Sequence, residues 1–293
     1  MPKDISVNFP EKQSLGSLYV AEQAFPHLRK WVGEARGKVV VQVADERMLG
    51  VALGSVGWEG LSSTSEKELA MLESLDVSTC QFSERSFSNA TELKNLSEIR
   101  LDYLKIGDPE LRLLRRFTGL KTIWLTGTEI TDNGVREFKE FPQITNLVLK
   151  STGVTDQGIG NMGEIASLHG LNLPTQITDR GLDYLKYFPC LKRLDLSFTK
   201  ITNEGLKRIA DLPVLTELYL NDTTLGDDGL VHLQNLKNLR SIFLSGTRIS
   251  DAGLNHLESC THLEHLELRD TRATEIGVAR LRSRLPSCAI FGP

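Results

Sequence analysis

Along most of the chain the aliphatic residues recur in a fixed frame longer than any helix or strand period. The segments LKTIWLTGTEITDNGVREF from Leu120, ITNLVLKSTGVTDQGIGNM from Ile144, LHGLNLPTQITDRGLDYL from Leu168 and LKRLDLSFTKITNEGLKRI from Leu191 share it. So do LTELYLNDTTLGDDGLVHL from Leu215, LRSIFLSGTRISDAGLNHL from Leu239 and LEHLELRDTRATEIGVARL from Leu263. Their starts step by 24, 24, 23, 24, 24 and 24 residues, and a weaker version runs back through Leu96 and Leu72 to Met48. About ten units therefore span 48–286, and such self-similarity dictates a repeat architecture before any local reading.

Each position of the frame L-x-x-L-x-L-x-x-T-x-I-T-D-x-G-L-x-x-L has a physical task. The apolar residues at the fourth and sixth places, such as Ile123 with Leu125 or Leu218 with Leu220, alternate as a short strand with one buried face requires. The Thr that follows, at 128, 152, 175, 199, 223, 247 and 271, stands where the chain turns inward and backbone groups need partners. Thr131-Asp132, Thr155-Asp156, Thr178-Asp179, Thr202-Asn203 and Ser250-Asp251 predict N-caps and an acid at a helix start. Asp108-Pro109 predicts the same with proline in the first turn. Leucines three apart, such as Leu182 with Leu185, give the helix its buried stripe.

This grammar resembles the leucine-rich-repeat family, most closely its bacterial 24-residue LxxLxLxxTxITDxGL type, over about four-fifths of the chain. The resemblance implies an α/β fold: a right-handed solenoid, or horseshoe, with a concave parallel sheet and short convex helices. It also implies a single domain organised as an N-terminal cap over 1–47, repeats over 48–286 and a C-terminal cap strand over 287–293. In the cap, the spacing of Leu15, Leu18, Ala21, Ala24, Leu28 and Trp31 predicts helices, the second opened by Pro26, followed by a strand over Lys38–Ala44. The unit at Leu168 is one residue short, with Pro174 in the gap, and a change of curvature or stiffness is expected there.

Composition narrows the function. With 34 Lys plus Arg against 38 Asp plus Glu, net charge −4, and no run of like charges, neither a nucleic-acid grip nor a polybasic membrane anchor is expected. No apolar run approaches a membrane span, the N-terminus lacks the pattern of a signal peptide, and the four scattered cysteines form no CxxC pair, so a cytoplasmic protein with reduced thiols is expected. Gly158-Ile-Gly160-Asn-Met-Gly163 satisfies GxGxxG literally, but its first glycine is the repeat's own and no βαβ unit surrounds it. Cys260, His262 and His265 cluster in sequence yet point apart in the frame, Cys260 at a buried apolar place. No metal, cofactor or active-site constellation is expected, and the chain is not read as an enzyme.

What remains is the surface of the concave sheet. Its outward positions read Ala52, Asp76, Arg100, Trp124, Val148, Asn172, Asp195, Tyr219, Phe243 and Glu267. Two aromatic patches emerge: Trp124 with Arg100, Tyr103, Val148 and Lys150, and Tyr219 with Phe243 flanked by Arg193, Phe198, Glu217, Arg240, His265, Glu267 and Arg269. Large rings rimmed by charge are the usual material of interface hot spots; simple cross-strand packing of aromatics is the competing reading. The expected function is recognition of an unidentified protein partner by a monomer, with Trp124, Tyr219 and Phe243 as anchors. The alternatives are an adaptor or regulator in a larger complex, such as a ubiquitin-ligase-like adaptor or a small-GTPase regulator, or a structural spacer. Residues 1–47 lack an F-box, and repeats of GTPase regulators run longer than 24.

Overall fold

A computed structural model describes residues 3–9, 16–22, 29–35, 38–43, 47–54, 64–80 and 92–293. These form two compact units, residues 1–129 with 140–144 and residues 130–139 with 145–293.

In the first unit, β1 (Lys3–Asn8) pairs antiparallel with β4 (Lys38–Val43), while β2 (Gly16–Glu22) lies antiparallel between β3 (Arg29–Glu34) and β5 (Arg47–Leu53). From β5 the sheet continues in parallel through β6 (Ser74–Asp76), β7 (Glu98–Arg100) and β8 (Thr122–Trp124). The helices expected in the cap are thus replaced by two strands, β2 and β3; Pro26 lies outside the described residues. The apolar spacing fits both elements, but Leu18, Tyr19, Val20 and Ala21 are buried in succession, which a strand covered on both faces permits and an amphipathic helix does not. The strand expected over Lys38–Ala44 is present as β4.

The second unit repeats one module. Its strands are β9 (Asn146–Val148), β10 (Gly170–Asn172), β11 (Arg193–Asp195), β12 (Glu217–Tyr219), β13 (Ser241–Phe243), β14 (His265–Glu267) and β15 (Ala289–Phe291). All pair in parallel with equivalent positions in register. The middle residue of each strand, Leu147 through Ile290, is buried, so the two flanking side chains face away from the core. Short α- and 3-10 helices return each repeat to the next strand.

Two hydrogen-bond systems fix the repeats. The repeat Thr hydroxyl donates to the carbonyl three residues back, as Thr152 to Leu149 (2.8 Å), Thr199 to Leu196 (2.5 Å) and Thr223 to Leu220 (2.7 Å). The Asp of TD, by contrast, does not serve its own helix alone: it accepts both the amide and the hydroxyl of the next repeat's cap. Asp132 takes Thr155, Asp156 takes Thr178, Asp179 takes Thr202, Asp227 takes Ser250 and Asp251 takes Thr274, all at 2.5–2.9 Å. The capping hydroxyls in turn accept from their own helices, as Thr202 does from Glu204 N at 3.3 Å. The two Thr274 bonds hold the Asp251 carboxyl below the usual carboxylate range.

One repeat departs. In the short unit Thr175 is exposed and leaves the hydroxyl series, while Pro174 is buried. The missing residue is the one that elsewhere takes a left-handed conformation, at Tyr103, Gly127, Ser151, Phe198, Asp222, Gly246 and Asp270. Gln176 compensates from its side chain, donating to the carbonyls of Thr152 (2.8 Å) and Val154 (2.6 Å).

Candidate functional site

The two aromatic patches differ once side chains are placed. In the first unit Trp124 stands in register with Arg100, whose guanidinium lies 3.6 Å from the indole centroid. Glu98 (3.4 Å) and Asp102 (3.9 Å) hold Arg100 there. Burial pushes the Asp102 carboxyl up, against the pull of the Thr126 amide it accepts. Trp124 is half-buried under a cation of its own chain, so it is not the open anchor its position suggested.

The same node reaches the cap. Arg29 on β3 lies 4.2 Å over the buried Tyr19 ring and bridges Asp76 (2.5 Å) and Glu98 (3.5 Å). Gly50, in register with Tyr19 and Ser74, leaves the ring room to lie across β5, so that its hydroxyl meets Ser74 Oγ at 2.7 Å. Burial pushes the Glu98 carboxyl up against the pull of Arg29 and Arg100. For Asp76 burial acts the same way, but the bonds from Arg29 and Ser78 outweigh it and the carboxyl sits below its ordinary value. Tyr103 is 74% exposed and left-handed (φ 61°), with its ring over Gly127.

In the second unit Val148 is buried and presents nothing to a partner. Lys150, grouped with Trp124 by sequence, instead bridges Asp195 (2.7 Å), two repeats on, with its ammonium 5.8 Å from the Phe198 ring. Asn172 donates to the same carboxylate at 3.0 Å. Arg193 reaches Asn146 at 3.0 Å across Gly170, where a Cβ would fall 3.1 Å from the guanidinium. Phe198 is 57% exposed in a left-handed conformation (φ 65°). That conformation recurs at the same turn position from Tyr103 to Asp270, the short repeat apart, and a bulky residue in it costs about 1–3 kcal/mol.

Beyond β11 the rings join. Tyr219 and Phe243 stack with centroids 4.2 Å apart and planes 3° from parallel; His265 follows at 4.9 Å and Phe291 at a further 4.9 Å. Tyr219 and Phe243 are in register, so strand spacing sets their stacking, whereas His265 occupies the first place of its strand and meets Phe243 and Phe291 diagonally, with planes tilted by 36° and 32°. Tyr219 donates to Glu217 Oε2 at 3.1 Å, and burial with that neighbour holds its phenol far above the ordinary value. Arg240 pairs with Glu264 (2.8 Å) and Arg269 with Glu267 (3.5 Å) at its flanks. Phe291, 43% exposed, is not among the expected sheet-face residues; the repeat frame carries its signal, since it lies 24 residues after Glu267.

Cys260 is half-buried rather than fully enclosed, His262 is exposed, and His265 belongs to the stack, so the three do not converge. Among the described residues no three His, Cys, Asp or Glu side chains are placed to hold a metal ion, and no helix is long and apolar enough to cross a membrane. The glycine-rich helix is explained by packing: Gly158 lies under Asp132, Gly160 against Tyr184, and Gly163 turns the chain at φ 68°.

A family profile described as Leucine Rich repeat matches residues 189–210 and 212–233. Among solved structures, the chain is similar to an internalin (inlF) from Listeria monocytogenes, with TM-score 0.54 and 20% identity over 84% of this chain and 86% of that one. It is also similar to internalin C2 (inlC2) from the same organism, with TM-score 0.52 and 20% identity over 78% of this chain and 88% of that one. At such identity the likeness is one of fold. No curated protein matches the sequence.

Proposed function

This chain is a leucine-rich-repeat protein, and we propose that it is a non-catalytic recognition module that binds a protein partner on the open sheet face of β12–β15. Leucine-rich repeats are generally protein-interaction modules, and this face has the composition of an interface hot spot: aromatic and rimmed by charge. The observation that carries the reading is the run of rings Tyr219–Phe243–His265–Phe291 on four consecutive strands: Tyr219 and Phe243 stack in register, and His265, two places earlier on its strand, tilts between Phe243 and the exposed Phe291. Phe198 is exposed at the turn after β11. Trp124, already covered by Arg100, contributes stability to the first unit rather than contact with a partner.

The test is affinity capture from lysate of the source organism with three matched proteins: wild type, Tyr219→Ala with Phe243→Ala, and Tyr187→Ala as a control on the helical side. A protein retained by wild type and by Tyr187→Ala, and lost at least tenfold with the double variant, is the expected result. A capture profile that the double variant leaves unchanged, with its circular dichroism intact, ends this reading.

A further inference from the structure

We propose that the partner presents a cationic, Lys- or Arg-bearing segment to β12–β14; this rests on the docking reading above. At three rings apart from the stack, though not at Trp31 or Tyr103, the chain supplies a cation that a carboxylate braces. Arg29 lies over Tyr19 and bridges Asp76, Arg100 lies over Trp124 and bridges Glu98, and Lys150 approaches Phe198 and bridges Asp195. The stack on β12–β15 has the rings and the carboxylates, but among the described residues no cation of the chain lies over it.

The charge count agrees. Residues 216–222, 240–246 and 264–270, the strands with their following turns, hold Glu217, Asp222, Glu264, Glu267 and Asp270 against Arg240 and Arg269: five negative, two positive, net −3. Both arginines are committed, to Glu264 and Glu267, and no ion pair engages Glu217, Asp222 or Asp270 among the described residues. The corresponding residues of the three preceding repeats, 145–151, 169–174 and 192–198, hold Lys150, Lys192 and Arg193 against Asp195, net +2 with His169 neutral. The open face of this unit is therefore polarised, and its aromatic end is the acidic one. Because Tyr219 and Phe243 cover each other's faces, an incoming Lys or Arg lays its methylenes along the ring edges and carries its charged head to the carboxylates at the rim. Attraction of this kind fixes orientation, speeds encounter and adds affinity that weakens with salt.

The probe is a fluorescein-labelled heptapeptide, Gly-Arg-Ala-Arg-Gly-Arg-Gly, followed by fluorescence anisotropy at low ionic strength. Companion peptides carry Lys, citrulline or Glu in place of Arg. The Arg and Lys peptides are expected to bind, the neutral citrulline isostere at least tenfold more weakly and the Glu peptide not at all. A Glu217→Gln, Asp222→Asn, Asp270→Asn variant, in which Asn suits the left-handed turn positions, is expected to lose at least tenfold for the Arg peptide, whereas Lys192→Met keeps it. Equal binding of Arg and citrulline peptides, binding of the Glu peptide, or an Arg affinity unchanged in the triple variant overturns the proposal. The two readings separate in the capture experiment: a partner lost with Tyr219→Ala and Phe243→Ala but kept by the triple variant leaves sheet docking standing and removes the cation.

Discussion

Gly205→Ala is expected to lower stability to urea by about 2–3 kcal/mol, the opposite of what helix propensity predicts. Gly205 lies inside the helix Asn203–Ile209, where Ala ordinarily stabilises by about 1 kcal/mol over Gly. Here a Cβ would fall 2.6 Å from Ile201 Cγ2 and closer still to Asp179 Oδ1. Displacing Asp179 also breaks its bonds to the Thr202 amide (2.9 Å) and hydroxyl (2.6 Å). The glycine of the repeat is thus there for the aspartate of the preceding repeat, and the same relation recurs at Gly158, Gly181, Gly253 and Gly277. Gly226→Ala is the control: its φ is −130° and the nearest atom to a new Cβ is 3.9 Å away, so only the cost of Ala at an N-cap, about 1 kcal/mol or less, is expected. A loss at Gly205 no larger than the control's would remove the steric argument.

One repeat pair tests the hydrogen-bond logic directly. A carboxylate offers one oxygen to each of the two donors of a Thr cap; an Asn side chain offers one oxygen and places an NH2 donor where the second would be. Where the cap is Gly226, with only its N–H to give, the preceding position is Asn203 instead of Asp, and Asn203 Oδ1 takes that N–H at 2.9 Å. Asn203→Asp alone leaves one carboxylate oxygen without a donor, and Gly226→Thr alone leaves a hydroxyl facing an NH2 group. The double variant recreates the regular pair, and a favourable coupling of about 1 kcal/mol or more in the double-mutant cycle is expected. Additive effects would mean that the covariation in this pair has another cause.

The strands and the identity of the sheet face were legible because a period of 24 is independent of local propensity, and the register aligns the frame positions as the sequence does. What the sequence hid were contacts whose partners lie one or two repeats away. The TD aspartate reads as a cap for its own helix because that is its sequence neighbour; the structure sends it 23 residues on, as Asp132 to Thr155. Trp124 reads as exposed, although Arg100, 24 residues earlier in the same frame position, was available to cover it. Lys150 and Arg193 likewise reach past the neighbouring repeat, Lys150 to Asp195 and Arg193 to Asn146 over Gly170, contacts that no reading of adjacent positions reveals. The cap failed for a different reason: over a few residues, apolar spacing cannot separate a helix from a strand buried on both faces.

Arg29→Met is expected to cost about 3–5 kcal/mol at neutral pH, because it strands two buried carboxylates rather than deleting a surface charge. Arg29 is 10% exposed, against 17% for Asp76 and 1% for Glu98. The pH dependence distinguishes this from lost packing over Tyr19. In the wild type Asp76 titrates below its unfolded value of about 4, so its contribution is present above that value and fades as pH falls through the lower folded one. Without Arg29 its depressing bond is gone: Asp76 keeps only the bonds from Ser78 against burial, so its folded value rises, and Glu98, which burial already raises in the wild type, is left with Arg100 alone and rises further. Their charged forms then oppose folding at neutral pH, and protonation on acidification relieves the penalty. The deficit of Arg29→Met is therefore largest near pH 7 and shrinks toward pH 4, while Arg29→Met combined with Asp76→Asn recovers part of it at pH 7. A deficit constant from pH 4 to 8 would assign Arg29 to packing on Tyr19 alone. The cluster would then be a by-product of the cap rather than the bond that secures it.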